Sequence, residues 1–119
     1  MMKRLLFASI LILGAVVQSH GQAMLGEKVP NFSTLDQDSK KWTLKANLKK
    51  ANYLVIYFYP AAFTGGCTAQ ACSYRDQKGD LAKAGASVAG VSGDSPETLK
   101  LFALEHALNF TMLADESGE

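Results

Sequence analysis

Residues 53–67 read Tyr-Leu-Val-Ile-Tyr-Phe-Tyr-Pro-Ala-Ala-Phe-Thr-Gly-Gly-Cys. The run from Tyr53 to Tyr59 is aromatic and branched throughout and does not alternate with polar residues. Burial of both faces is therefore expected, as in a central strand of a parallel or mixed sheet. Pro60 stops the strand, and a short loop runs from Ala61 to Gly66. A helix is expected from Cys67 to Ala84, carried by Ala69, Ala71, Leu81, Ala82 and Ala84. Gly79 weakens that helix and is a candidate kink. Gly85 is well placed as its C-terminal stop.

Working outward, Ser87 to Val91 reads as a second short buried strand. Asp94-Ser95-Pro96-Glu97 opens a second helix: Ser95 can cap it, Pro96 suits its first position, and Glu97 favours the positive end of the dipole. Leu99, Phe102, Ala103 and His106 recur at helical spacing. Phe110 to Leu113 is a third strand and Asp115 to Gly118 a turn. Upstream, Leu25 to Pro30 reads as extended, and Asn31–Leu35 with Lys41–Leu44 form a hairpin around the polar turn Asp36–Ser39. Trp42 is read as a packing residue, and Ala46 to Ala51 as one loose helical turn. Hairpin, strand, helix, strand, helix, strand implies an α/β layer with right-handed crossovers. Two helices cover such a sheet incompletely, so the C-terminal part of the domain is expected to be missing.

The first residues read as a targeting segment. Lys3 and Arg4 precede an apolar and small-residue run from Leu5 to Val17, followed by polar residues and the small-x-small pair Gly21 and Ala23. A signal peptide over residues 1–23 and one domain over 24–119 are expected. The run is short for a membrane span, which needs about 20 residues; a retained anchor is the alternative. Export to the periplasm or the exterior implies an oxidising compartment. The net charge of +1 offers no basic stripe for nucleic acid. Cleavage after Ala23 removes two basic residues and turns that +1 into −1.

The chemistry centres on Cys67. A buried strand ends, the chain turns through Gly65 and Gly66, and a cysteine stands at a helix N-terminus. Unpaired N–H groups and about half a positive charge gather there. Both favour thiolate over thiol, and the same donors can hold a substrate oxygen. Glycines allow close backbone approach to a ligand. Thr64 can aim its hydroxyl into the same pocket. Competing readings are a structural Cys67–Cys72 disulfide, which would close too small a loop to stabilise much, and a thioredoxin-type oxidoreductase, which relies on Cys-x-x-Cys rather than this four-residue gap. No metal site is expected, since His20 falls in the segment expected to be cleaved off and His106 stands on a helix with no obvious partner. Asp76, Asp80 and Lys83 read as a solvated face.

These residues resemble the peroxiredoxins, and most closely their bacterioferritin-comigratory, or Q-type, branch. The Pro-x-x-x-Thr-x-x-Cys pattern of that family appears as Pro60, Thr64 and Cys67. The string from Phe58 to Asp76 is similar throughout, as are Gly26, Pro30 and Phe32 and the stretch Val88 to Phe102. The resemblance spans about Leu25 to Glu119. It implies a thioredoxin-like fold, three-layered, with a mixed sheet flanked by helices. It implies Cys67 as the peroxidatic cysteine, oxidised to a sulfenic acid by peroxide. Thr64 and the backbone N–H groups of Gly66 and Cys67 would stabilise charge on oxygen, and Pro60 would shield the thiolate. Cys72 would be the resolving cysteine, giving an intramolecular disulfide. It implies no cofactor, a hydrogen peroxide or organic hydroperoxide substrate, a thioredoxin-like reductant and a monomer. Five residues of α-helix rise about 7.5 Å, beyond the Cα separation of about 7 Å that a disulfide tolerates. The helix must therefore unwind between the two cysteines. The chain departs from the family at Gly65, where proline is frequent, and at Gln70, where glutamate is common. The family's downstream active-site arginine has no counterpart; the arginines are Arg4 and Arg75. An inactive truncated fragment is thus a third alternative.

Overall fold

The computed structural model describes residues 25–118. The expected signal peptide lies outside the described residues. The first elements among the described residues are a hairpin of β1 (Ser33–Asp36) and β2 (Lys41–Thr43), in which Thr34 stands opposite Trp42. Its turn closes on the Asp36 side chain, whose Oδ1 accepts from the N–H groups of Asp38 (2.9 Å) and Lys40 (3.0 Å), an Asx turn. The following helical turn, α1 (Leu44–Asn47), begins earlier than expected. Thr43 explains this: its hydroxyl accepts from the Ala46 N–H at 3.3 Å and caps the turn at once.

The hydrophobic run forms β3 (Tyr53–Phe58). It leads into α2 (Gly65–Lys83), β4 (Ala86–Ser92), α3 (Pro96–Glu105) and β5 (Thr111–Ala114). The sheet order is β2-β1-β5-β4-β3; β3, β4 and β5 are mutually parallel and β1 is antiparallel to β5. This is a mixed five-stranded sheet flanked by helices, the thioredoxin-like arrangement. α3 is capped as its sequence implies, with Ser95 Oγ accepting from the Thr98 N–H at 3.2 Å and Pro96 in its first turn. α2 starts two residues before Cys67, and runs helically through Gly79 without a break. It ends at Lys83 with Ala84 as its cap, and the next residue, Gly85, takes a φ of +76° that suits glycine.

α2 and α3 lie on the same face. Ala71 from α2 and Leu99 and Phe102 from α3 share one buried cluster with Tyr57 and Met112 of the sheet. The opposite face carries a smaller cluster built on Trp42, Leu44, Ala89, Val91 and Leu113, so Trp42 packs as expected. β3 departs from its expected place. Among the described residues it pairs with β4 alone and forms an edge of the sheet. Tyr57 is buried under the helices, but Tyr53 and Phe58 are 67% and 74% exposed. The long helices cover one face only, and the small cluster reaches Leu54 and Ile56 without extending over Phe58.

Candidate active site

β3, β4 and β5 run parallel, so the loops that follow them gather at one end of the sheet. Crevices outside the carboxyl ends of parallel strands are where α/β sheets bind ligands. The loop after β3 carries Pro60 to Thr64, and the loop after β4 carries Gly93 to Ser95.

Cys67 is the third residue of α2. It is partly buried against the Tyr57–Phe102 cluster. The helix begins at its N-cap Thr64, whose side chain makes no cap hydrogen bond. Instead the Thr64 hydroxyl donates to the Ala61 carbonyl at 3.0 Å, which leaves its lone pairs free to accept. The Thr68 N–H donates to the Thr64 carbonyl at 2.9 Å. The N–H groups of Gly65, Gly66 and Cys67 thus precede the helix's own ladder and stand as donors beside the sulfur. Gly66 and Pro60 are exposed. Pro60, Thr64, Gly66 and Cys67 lie in succession along one loop-to-helix junction.

Cys72 lies on the same helix, partly buried, and both thiols are free. The two are therefore held apart while α2 stays wound. Arg75 is not at the junction. Its Nη1 donates to the His106 carbonyl at 2.6 Å and its Nε to Asp76 at 2.9 Å. Asp76, Asp80 and Lys83 are all exposed, as a solvated face; Asp76 pairs with Arg75, and Asp80 and Lys83 are 3.7 Å apart. His106, just beyond α3, packs its ring against Phe102 and Phe63 at 5.2 and 6.3 Å.

Two buried phenols, Tyr57 and Tyr59, belong to the cluster against which Cys67 packs. Neither the Tyr57 nor the Tyr59 hydroxyl has a hydrogen-bond partner. Burial pushes the Tyr59 phenol up to about 12, and the charges of Asp94 and Cys67 add to the rise. Ser92 does not relieve it, since its hydroxyl proton goes to Asp94 at 2.7 Å. Tyr57 is shifted upward too, by burial first and then by Tyr59, Tyr74 and Cys67. Both remain neutral at working pH, so this side of the thiol is walled by uncharged rings.

Two features of the junction escape sequence reasoning. Asp94 Oδ2 accepts from the Ala62 N–H at 2.8 Å, a contact across 32 residues that only the parallel β3–β4 pairing creates. A polar residue just past the end of a neighbouring parallel strand was the available signal. Phe63 has φ of +63°, a conformation rare for a bulky residue.

The family profile described as AhpC/TSA family matches residues 25–119. The chain is 47% identical over 94 residues to the chloroplastic peroxiredoxin Q of Populus jackii, an alignment covering 79% of this chain and 43% of that protein. It is 46% identical over 94 residues to peroxiredoxin Bcp of Escherichia coli strain K12, covering 79% and 59%. Peroxidoxin BcpB from Mycobacterium tuberculosis superimposes with a TM-score of 0.75 at 34% identity, over 78% of this chain and 60% of that one. Peroxiredoxin Q of Xanthomonas campestris gives a TM-score of 0.66 at 31% identity, over 72% and 53%. The chain spans about half the length of the curated relatives it matches.

Proposed function

The chain belongs to the AhpC/TSA family, and from that premise we propose that it is a thiol-dependent peroxidase whose attacking atom is Cys67 Sγ. The supporting observation is the position of that sulfur, partly exposed in the first turn of α2 beside N–H groups that neither the helix nor the Thr64 side chain engages. In the reaction, the thiolate attacks the terminal oxygen of a hydroperoxide. An S–O bond forms, the O–O bond breaks, and the leaving oxygen takes a proton to depart as water or an alcohol. Cys67 is left as a sulfenic acid. The Gly66 and Cys67 N–H groups and the Thr64 hydroxyl would hold the oxygens as charge moves between them. Pro60 would limit water around the sulfur.

Cys72 then attacks the oxidised sulfur, an S–S bond forms, and the hydroxyl leaves as water. A thioredoxin-like dithiol supplies the two electrons that restore both thiols. The unbroken helix between Cys67 and Cys72 makes unwinding part of this cycle. The basic-then-apolar pattern of residues 3–23 supports an exported enzyme served by an exported reductant, and the Q-type resemblance supports a monomer.

The test is rapid mixing of the fully reduced chain with hydrogen peroxide. Wild type is expected to consume peroxide orders of magnitude faster than free cysteine, and Cys67→Ser not at all. The same preparation should fail to reduce insulin disulfides. A wild-type rate equal to that of free cysteine removes the peroxidase reading.

A further inference from the structure

We propose that Asp94 is a positioning residue for Cys67, acting through the Ala62 N–H; the proposal rests on the peroxidase reading above. The loop between β3 and α2 must deliver Thr64 and the first turn of α2 in register with the sulfur. Its internal bond, Thr64 hydroxyl to Ala61 carbonyl, shapes the loop but does not place it on the fold. The Tyr59 N–H, donating to the Val91 carbonyl at 3.0 Å, ends the strand ladder just before the loop. Beyond that point the Asp94 carboxylate takes over, accepting from Ala62 at 2.8 Å.

The carboxylate is itself held. The same Oδ2 accepts from Ser92 Oγ at 2.7 Å, and Ser92 is buried on β4 with 4% of its surface exposed. A chain of charge-assisted hydrogen bonds therefore runs from the rigid sheet through Asp94 to the loop. The next residue along, Phe63, has the positive φ noted above. Such strain persists only where the surroundings over-determine it. Here Asp94 holds the backbone on one side, and the Phe63 ring rests against Phe102 at 5.1 Å on the other. Release of Ala62 lets Phe63 relax and shifts Thr64, the N-cap on which the whole first turn depends.

The experiment uses the full chain carrying Cys72→Ser, so that Cys67 reacts alone. Its oxidation by hydrogen peroxide is timed by sulfenic-acid trapping, and its alkylation by iodoacetamide, which has no peroxide oxygens to seat, is timed in parallel. Asp94→Ala is expected to slow the peroxide reaction about tenfold or more, as small misplacements of reacting groups do, while slowing alkylation far less. Asp94→Asn keeps an oxygen acceptor and should return most of the rate. Ser95→Ala, which removes the α3 cap on the same connection, should lower stability without slowing peroxide. Ser92→Ala frees the carboxylate from the sheet and should give a smaller loss of the same kind; it carries the test if Asp94→Ala does not fold. Asp94→Ala as fast as its parent, or Ser95→Ala equally slow, overturns the proposal. So does an equal slowing of alkylation, or an unaltered Ser92→Ala where that variant carries the test. A parent no faster than free cysteine defeats the peroxidase reading instead, which separates the two failures.

Discussion

Arg75 Nη1 donates to the main-chain carbonyl of His106 at 2.6 Å, tying α2 to the residue that ends α3. Lys78 Nζ donates to the Asn109 carbonyl one turn further along the same helix. From Arg75 onward α2 is thus fastened to the α3–β5 connection. Cys67 and Cys72 both lie before the first of these fastenings. The helix has an anchored body, and its first two turns are held instead by packing, through Ala71 in the buried cluster and Cys67 against it.

Oxidation should therefore melt one part of α2 and spare the other. Disulfide formation is expected to lower far-UV helicity and to speed amide exchange over residues 65–73, with protection retained from Arg75 onward. Arg75→Ala removes the fastening and some packing by its aliphatic stem. It should lower stability, read as a lower denaturant midpoint, and extend fast exchange beyond residue 75 in the oxidised state. Identical exchange patterns in the two redox states exclude Cys72 as the resolving thiol.

Replacement of Cys72 should separate the two halves of the cycle. Cys72→Ser is expected to keep the first oxidation at the wild-type rate, since Cys72 lies well away from the uncapped end of the helix. It should consume one peroxide per chain, then stop, with Cys67 trapped as a sulfenic acid and no intramolecular disulfide by mass. Continued turnover with a dithiol and without that disulfide assigns resolution to the external reductant.

Much of this arrangement is legible in local sequence because local physics sets it. Ser95 and Pro96 start α3, Gly85 stops α2, and the Gly-Gly-Cys step marks the junction that carries the sulfur. The rest depends on partners far along the chain. The apolar run Tyr53–Tyr59 reports its own hydrophobicity but not its neighbours, so its place beside β4 at the edge of the described sheet follows only from the pairing of β4 with both β3 and β5. Asp94 looks like a helix-opening residue until the parallel strands set it beside Ala62. Arg75 looks like a surface charge until α3 ends against it.

The glycines of the chain divide by what a methyl group would meet. A Cβ on Gly90 would lie 2.8 Å from the Tyr57 ring and hydroxyl. Gly90→Ala should cost about 1–3 kcal/mol, the usual price of overpacking, read as a lower denaturant midpoint. A Cβ on Gly66 meets nothing within 4 Å. Gly66→Ala should gain roughly 0.5–1 kcal/mol of helix stability, yet slow the peroxide reaction, because the new methyl stands beside the N–H donors. A Gly66→Ala chain that is both more stable and equally fast removes the backbone of Gly66 from the oxygen-binding role.

Tyr59 predicts a loss of stability in alkali. Its phenol is 6% exposed and pushed up to about 12 from an ordinary 10.0, chiefly by burial. Below pH 10 it is protonated in both folded and unfolded chains and its contribution is constant. As pH rises past 10 the unfolded chain releases the proton first, while the folded chain still holds it. The unfolded state then binds fewer protons, so stability falls with pH across the window from about 10 to about 12. A two-unit shift corresponds to about 2–3 kcal/mol over that window. Tyr57, shifted in the same direction, adds to the fall. Tyr59→Phe deletes a buried hydroxyl that has no hydrogen-bond partner, so its stability at neutral pH should match or slightly exceed wild type. Thermal midpoints measured at pH 8 and pH 11 should drop clearly for wild type and less for Tyr59→Phe, with the remainder due to Tyr57. Equal drops in the two proteins would mean that Tyr59 ionises as easily folded as unfolded, and that the wall beside Cys67 is open to water.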